Sequence, residues 1–312
     1  FLDSLFYYDD NNNFFEDKIE KGKMKFINFS FGKAQLIEYI IYILKNEFKR
    51  ARAIENELFE YFEGNYECES LLYQYKGLMY RKFNQYEEAI TCFEKAETMT
   101  INRKNMGMLY LHSSIAYKKC GNLIKAMLFI EKARRIFSEF GSLRRVSFCF
   151  VECGLLLKTN QQYEDAISQF NIAIRSLEMI DCPEELNARV YCNMCWAMIL
   201  AKDYKRGLEY LEEAKVLEPK HGFTVLYGIW CNYKLKNYDE ADQWISDNKH
   251  LQSDVNFCDF YELFTLLVKC RESVPSAKLM NLAMKIVDDY KKGEDFERIN
   301  FYIDIVLDLL NR

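Results

Sequence analysis

The 312 residues carry 42 basic and 47 acidic side chains, for a net charge of −5, and half of them are hydrophobic. A chain of that size and apolar content can bury an ample core, and its acidic balance offers no clustered cationic surface for gripping nucleic acid. Three prolines and twelve glycines are too few breakers for an all-β fold and argue for long helices.

Residues 1–31 stand apart from the rest of the chain. The opening Phe1-Leu-Asp-Ser-Leu-Phe-Tyr-Tyr has no basic region ahead of an apolar one, so we expect no secretory signal. Asp9-Asp-Asn-Asn-Asn13 signals a polar loop, and the stretch around Lys18 to Lys25 is charged with weak periodicity. The chain starts without methionine, and we expect further chain ahead of Phe1. Nowhere does an apolar run reach the roughly 18 residues of a membrane span, so no membrane anchor is expected.

From about residue 32 to 250 one short phrase recurs six times: a bulky apolar residue, two mostly polar ones, then a tiny one. It reads Phe48-Lys-Arg-Ala51, Tyr86-Glu-Glu-Ala89, Leu123-Ile-Lys-Ala126, Tyr163-Glu-Asp-Ala166, Tyr204-Lys-Arg-Gly207 and Tyr238-Asp-Glu-Ala241. The tiny residues advance by 38, 37, 40, 41 and 34 positions, the period range of helical repeat arrays. In the second copy Tyr73, Gly77 and Tyr80 share one helical stripe, Phe83-Asn84-Gln85 makes a turn, and Ala89, Phe93 and Ala96 share a stripe on a second helix. Gly77 and Ala89 are then small because the two helices cross closest there. A pair of this kind cannot bury its stripe alone and stacks on the next.

The order of large, small, aromatic, then Ala, aromatic and Ala resembles the tetratricopeptide repeat. It returns as Tyr110, Ser114, Tyr117, Ala126, Ile130 and Ala133; as Phe150, Gly154, Leu157, Ala166, Phe170 and Ala173; and as Tyr191, Cys195, Met198, Gly207, Leu211 and Ala214, closed by Pro219. The first copy (Ile41, Ala51, Leu58) and the sixth (Ile229, Ala241, Ile245) are looser. The expected fold is all-α, a right-handed superhelix of tetratricopeptide-type helix pairs. Residues 251–312 close it, with helices expected at 257–271, 275–292 and 294–311 on the periodicity of Phe260, Leu263 and Leu267, of Leu279, Leu282 and Ile286, and of Phe301, Ile305 and Leu309. This segment caps the array or dimerises.

Six repeats at long spacings, a helical tail, an Asn- and Lys-rich composition and the opening Leu-Asp-x-Leu-Phe run together resemble the RRNPP family of peptide-sensing regulators of Gram-positive bacteria. That opening is similar to the closing segment of a phage-repressor type of helix-turn-helix, and equally reads as an amphipathic segment packing on the first repeat. The resemblance implies a cytoplasmic quorum-sensing regulator. Its repeats hold a short signalling peptide in a concave groove, it forms a homodimer, and it meets DNA only through a domain outside this chain.

In tetratricopeptide arrays the first helix of each pair lines the inner surface. Projected on the register above, that face presents Gln74, Tyr75 and Arg81; His112 and Lys118; Glu152 and Lys158; Arg189, Asn193 and Trp196; and Tyr227, Trp230 and Tyr233. Amides pair with a ligand's backbone, and rings supply contact area at low entropic cost. Asn193 lies where the resembled family often places a ligand-contacting asparagine, although it also fits an Asn facing water or capping a loop. Trp196 and Trp230 fit either a ligand wall or packing on the next repeat. Arg81, Lys118, Lys158 and Arg189 outnumber Glu152 on this face, which favours a ligand with a carboxylate.

Other chemistry finds little support. Cys192-x-x-Cys195 falls mid-helix with Cys195 in the small-residue slot, and Cys149-x-x-x-Cys153 has the same explanation. The eleven cysteines, odd in number and scattered singly, suit free buried thiols in a reducing cytosol. Three histidines make no zinc-site spacing with them, and there is no phosphate loop, nucleophile elbow or paired-histidine motif. We therefore expect no cofactor, no metal and no catalysis. A general scaffold or chaperone adaptor is the alternative, a partner's linear segment then filling the groove, but the asparagine of a carboxylate clamp is replaced by Leu78, Ile115, Leu155, Trp196 and Trp230. The phosphatase branch of the resembled family needs an N-terminal three-helix bundle, for which residues 1–31 are too short and polar.

Overall fold

A computed structural model describes residues 31–180, 184–219, 221–271, 276–292 and 296–310. The expectations placed on residues 1–30 lie outside the described residues. Among the described residues there are fifteen α-helices, one 3-10 helix and no strand, so the chain is all-α as its repeats predict. The helices fall into two compact units, divided after Ser142.

The first unit contains α1 (Phe31–Leu44), α2 (Phe48–Tyr61), α3 (Tyr66–Lys82), α4 (Tyr86–Met99), α5 (Arg103–Lys119) and α6 (Leu123–Glu139). These are three helix pairs, each turning at the repeat phrase. Ala51, Ala89 and Ala126 have no exposed surface. At the α3–α4 crossing a Cβ added to Gly77 would stand 2.5 Å from the Phe93 ring and 3.1 Å from the carbonyl oxygen of Ala89. Only glycine lets the two helices approach that closely. A buried polar cluster in this unit is partnered: Tyr39 donates its hydroxyl to Glu55 at 2.7 Å, and the Lys76 ammonium donates to the other oxygen of Glu55 at 2.6 Å.

The second unit contains α7 (Leu143–Thr159), α8 (Tyr163–Glu178), α9 (Glu184–Leu200), α10 (Tyr204–Leu217), α11 (Gly222–Lys234) and α12 (Tyr238–Asp247). It then adds the 3-10 turn Lys249–Ser253, α13 (Cys258–Lys269), α14 (Ala277–Lys292) and α15 (Phe296–Leu310). The last three helices match the expected tail, while the 3-10 turn had no periodic signal. Ala166 and Ala241 are wholly buried, and Gly154 and Gly228 leave room for Phe170 and Trp244 as Gly77 does for Phe93. Cys195 and Cys231 are wholly buried in the core of this unit, and a Cβ on Gly207 would meet their sulfurs at 3.6 and 3.4 Å. Cys195 fills the small-residue slot of its repeat, and Cys231 packs against Gly207 from the next one.

One device repeats at every turn within a pair. Asn46, Asn84, Gly121, Gln161, Lys202 and Lys236 all adopt φ between 60° and 76°, each two residues before the next helix begins. The following amide donates back to the carbonyl five residues earlier, as in Gln85 to Tyr80 at 3.0 Å, Gln162 to Leu157 at 2.9 Å and Asp203 to Met198 at 2.9 Å. This left-handed helix stop satisfies orphan carbonyls at the helix end and reverses the chain tightly. Gln161, Lys202 and Lys236 are neither glycine nor asparagine, so at these three positions the turn is imposed by the pairing of the helices rather than by the residue's own preference.

Candidate functional site

In the second unit the turn ends of three consecutive helix pairs meet α15 around a cavity of about 510 Å³. The first helices contribute Lys158 and Thr159 from α7, Ile199 and Leu200 from α9, and Trp230 and Lys234 from α11, with Thr159, Leu200 and Lys234 at one shared register position. The left-handed turn residues Gln161 and Lys202 and the aromatic helix starts Tyr163 and Tyr204 complete the repeat side. From α15 come Asn300, Phe301, Asp304 and Leu307. A repeating backbone thus converts one sequence register into one wall.

That wall is aromatic and cationic. The Phe301 ring stands edge-on to Trp196 at 4.9 Å and to Trp230 at 5.2 Å. Trp196 stacks on Tyr227 at 5.1 Å, and Trp230 on Tyr233 at 5.7 Å. The Lys158 ammonium lies 6.0 Å from the Trp196 ring centre, and that of Lys234 lies 5.3 Å from Trp230 and 5.9 Å from Tyr204. Ring faces hold these cations through the aromatic quadrupole. Trp230 is 4% exposed, and its indole Nε1 has no hydrogen-bond partner among the described residues.

The thirteen residues projected from sequence are distributed unevenly. In the first unit Gln74, Tyr75 and His112 are buried, with His112 stacked 6.3 Å from Phe93, and Arg81 and Lys118 are half-buried. In the second unit Lys158 and Trp230 line the cavity, while Trp196, Tyr227 and Tyr233 lie behind it in the aromatic stack. Glu152 and Asn193 are half-buried and Arg189 is exposed, and none of these three lines the cavity. Asn193 makes no side-chain hydrogen bond to a described residue.

Sequence reasoning passed over Lys202, Tyr204, Lys234 and Asp304. Lys234 follows Trp230 by one helical turn and was legible as a neighbour on its face. Asp304 carries no such signal, because α15 reaches the cavity through tertiary packing alone.

Elsewhere in the second unit, Cys192 shares a 3.0 Å contact with the hydroxyl of Thr224 and lies 3.7 Å from Nδ1 of His221. Burial pushes the Cys192 thiol up to about 11 and holds the His221 imidazole below its ordinary range. Both stay neutral at neutral pH. Among the described residues no group of three or more His, Cys, Asp or Glu is placed to hold a metal ion, and no helix is long and apolar enough to cross a membrane.

Known proteins place this architecture. The family model described as "Soluble NSF attachment protein, SNAP" matches residues 42–216, more than half of the chain. Regulatory protein RapD of Bacillus subtilis (strain 168) is 23% identical over 290 residues, 80% of this chain and 80% of RapD. Transcriptional activator NprA of Geobacillus stearothermophilus is 19% identical over 178 residues, 54% of this chain and 44% of NprA. Among solved structures, NprR in complex with its cognate peptide NprX aligns with a TM-score of 0.59 at 17% identity, covering 96% of this chain and 95% of that one. Aspartyl phosphate phosphatase F from Bacillus subtilis aligns at 0.63 and 17%, covering 91% and 95%. At these identities the structural likeness is one of fold.

Proposed function

This chain belongs to the soluble NSF attachment protein family and has RRNPP-type regulators among its relatives, and we propose that it is the peptide-binding sensor of a quorum-sensing transcription regulator. The single observation that carries this reading is the pairing of a regulator fold with a site suited to a peptide. Helix pairs alike in fold to those of NprR with its bound peptide NprX present, in the second unit, a cavity walled by stacked rings and lysines. Rings bind side chains with little entropy to lose, and half-buried amides such as Asn193 supply backbone pairing. The relatives are named as a regulatory protein and a transcriptional activator, which supports a regulatory role over a general scaffold.

The finer parts of the reading go with it. The sensor works in the cytoplasm as a homodimer, meets DNA only through a domain outside this chain, and performs no catalysis. The likeness to phosphatase F is one of fold and brings no reaction with it.

The test is calorimetry with short peptides encoded beside the gene, comparing wild type with Asn193→Ala. Losing one backbone-pairing amide in a desolvated site costs about 1–3 kcal/mol, a roughly five- to hundredfold weaker affinity. Unchanged affinity in the variant moves the contact away from Asn193. Failure of every such peptide to bind wild type sinks the sensor reading.

A further inference from the structure

We propose that the seat of Phe301 is also the seat of a bulky apolar side chain of the peptide, so that peptide and α15 compete for one place against two tryptophans. The inference rests on the sensor reading for its peptide and on the seat itself for its chemistry. Trp196 and Trp230 lie on the face of the first helices that the ligand is expected to use, yet each is only 4% exposed. The buried ring of Phe301 stands edge-on to both, at 4.9 and 5.2 Å. A ligand reaches these two rings only where α15 gives way.

What the seat accepts is shown by what fills it. Two indoles meet one phenyl ring at 72° and 77°, an arrangement that rewards an aromatic ring beyond its burial. A charged side chain would be desolvated there, and a small one would leave the indoles without cover. The ligand class is therefore a peptide carrying Phe or a large aliphatic residue. Beside the seat, Trp230 and Phe301 both line the cavity of about 510 Å³, which has room for the backbone that bears such a side chain. The same cavity leaves α15 incompletely packed on the repeats. Leu307 lines it and is 49% exposed, and Asp304 beside it is exposed too. A void forfeits part of the contacts of a close-packed interface, and elements short of buried apolar contact open at lower cost than the core. A side chain in the seat excludes Phe301, so the peptide binds the released state alone. Its apparent affinity is then the intrinsic one scaled by the released fraction.

The experiment turns on a sign. Short peptides encoded beside the gene are titrated by calorimetry into the whole chain, as wild type and as Phe301→Ala. Hydrogen exchange is then followed with and without the peptide that binds. Removing the competitor is expected to tighten binding about tenfold or more, because the released fraction rises. Bound peptide is expected to speed exchange of the α15 amides while slowing that of α9 and α11. Copies of the peptide with each bulky apolar residue changed in turn to Ala should include one that loses most of the affinity. Thermal melts check that the variant is folded. If Phe301→Ala does not fold, Leu307→Ala takes its place, with tighter binding again expected. Equal or weaker binding by the folded variant, or unchanged or slower exchange in α15, makes α15 a fixed wall of the site and overturns the proposal while leaving the sensor reading intact. Full affinity in every alanine copy overturns it in the same way. Failure of every peptide with both proteins removes the sensor reading and the proposal together.

Discussion

Phe301 on α15 stands edge to face with Trp196 on α9, their ring centroids 4.9 Å apart and their planes at 72°. It meets Trp230 on α11 in the same way, at 5.2 Å and 77°. One side chain of the last helix is therefore wedged against two tryptophans that occupy the same register, 34 positions apart, in adjacent repeats. Edge-to-face pairs add to the burial of the rings themselves. Phe301→Ala should cost about 3 kcal/mol or more and, because two of the three tryptophans lose cover, shift the emission maximum to the red. Denaturant titration read by fluorescence checks both, and an unchanged spectrum would mean that α15 does not rest on these rings.

The close crossings make a second set of expectations. A Cβ at Gly77 would lie 2.5 Å from Phe93, so Gly77→Ala should destabilise although alanine is the better helix former. Ala89→Leu and Ala166→Leu, at positions with no exposed surface, should each cost about 1–3 kcal/mol by overpacking. Melting temperatures equal to wild type would show that the helices cross elsewhere.

The left-handed turns reverse the ordinary rule for glycine. Lys202 and Lys236 hold φ of 63° and 64°, a conformation that costs a side-chain-bearing residue about 1–2 kcal/mol. Replacing either by glycine relieves that strain and loses part of the gain to the unfolded chain's greater freedom, for a net stabilisation of up to about 1 kcal/mol. The comparison is urea unfolding of Lys202→Gly and Lys236→Gly, with a helix-interior glycine as the contrasting control. A loss of stability at both turns would show that neither lysine is strained.

His221 gives the pH dependence a sign. Burial, followed by the charge of Arg189, lowers its pKa below the ordinary 6.5, against the opposing pull of Glu218. The unfolded chain then binds the proton more readily than the folded one. Stability from this group is full above about 6.5 and is lost as the pH falls through the depressed folded value. The nearby Cys192 stays a neutral thiol through that window, its pKa pushed up to about 11. Between pH 7 and pH 5 the wild type should lose stability that His221→Gln does not lose. Parallel acid-side slopes in the two proteins would assign the effect to other groups.

The periodic phrase determined the helix pairs, their count and their small residues, because close helix crossing demands a tiny side chain wherever it recurs. Ala89, Ala126 and Gly77 were legible for that reason, and so was Cys195 as a packing residue rather than a ligand. The face of the first helices was legible too, since three- and four-residue spacing places Lys158, Trp196 and Trp230 on one side. What covers that face was not. Trp196 and Trp230 fitted a ligand wall and a packing contact equally well on spacing, and the packing of α15 decided that Phe301 touches both. The cavity depends in the same way on Lys202 in a left-handed turn and on Asp304 from a helix more than one hundred residues beyond it. Periodicity reports the faces of one helix, whereas a site made by several helices is set by which faces the folded chain brings together.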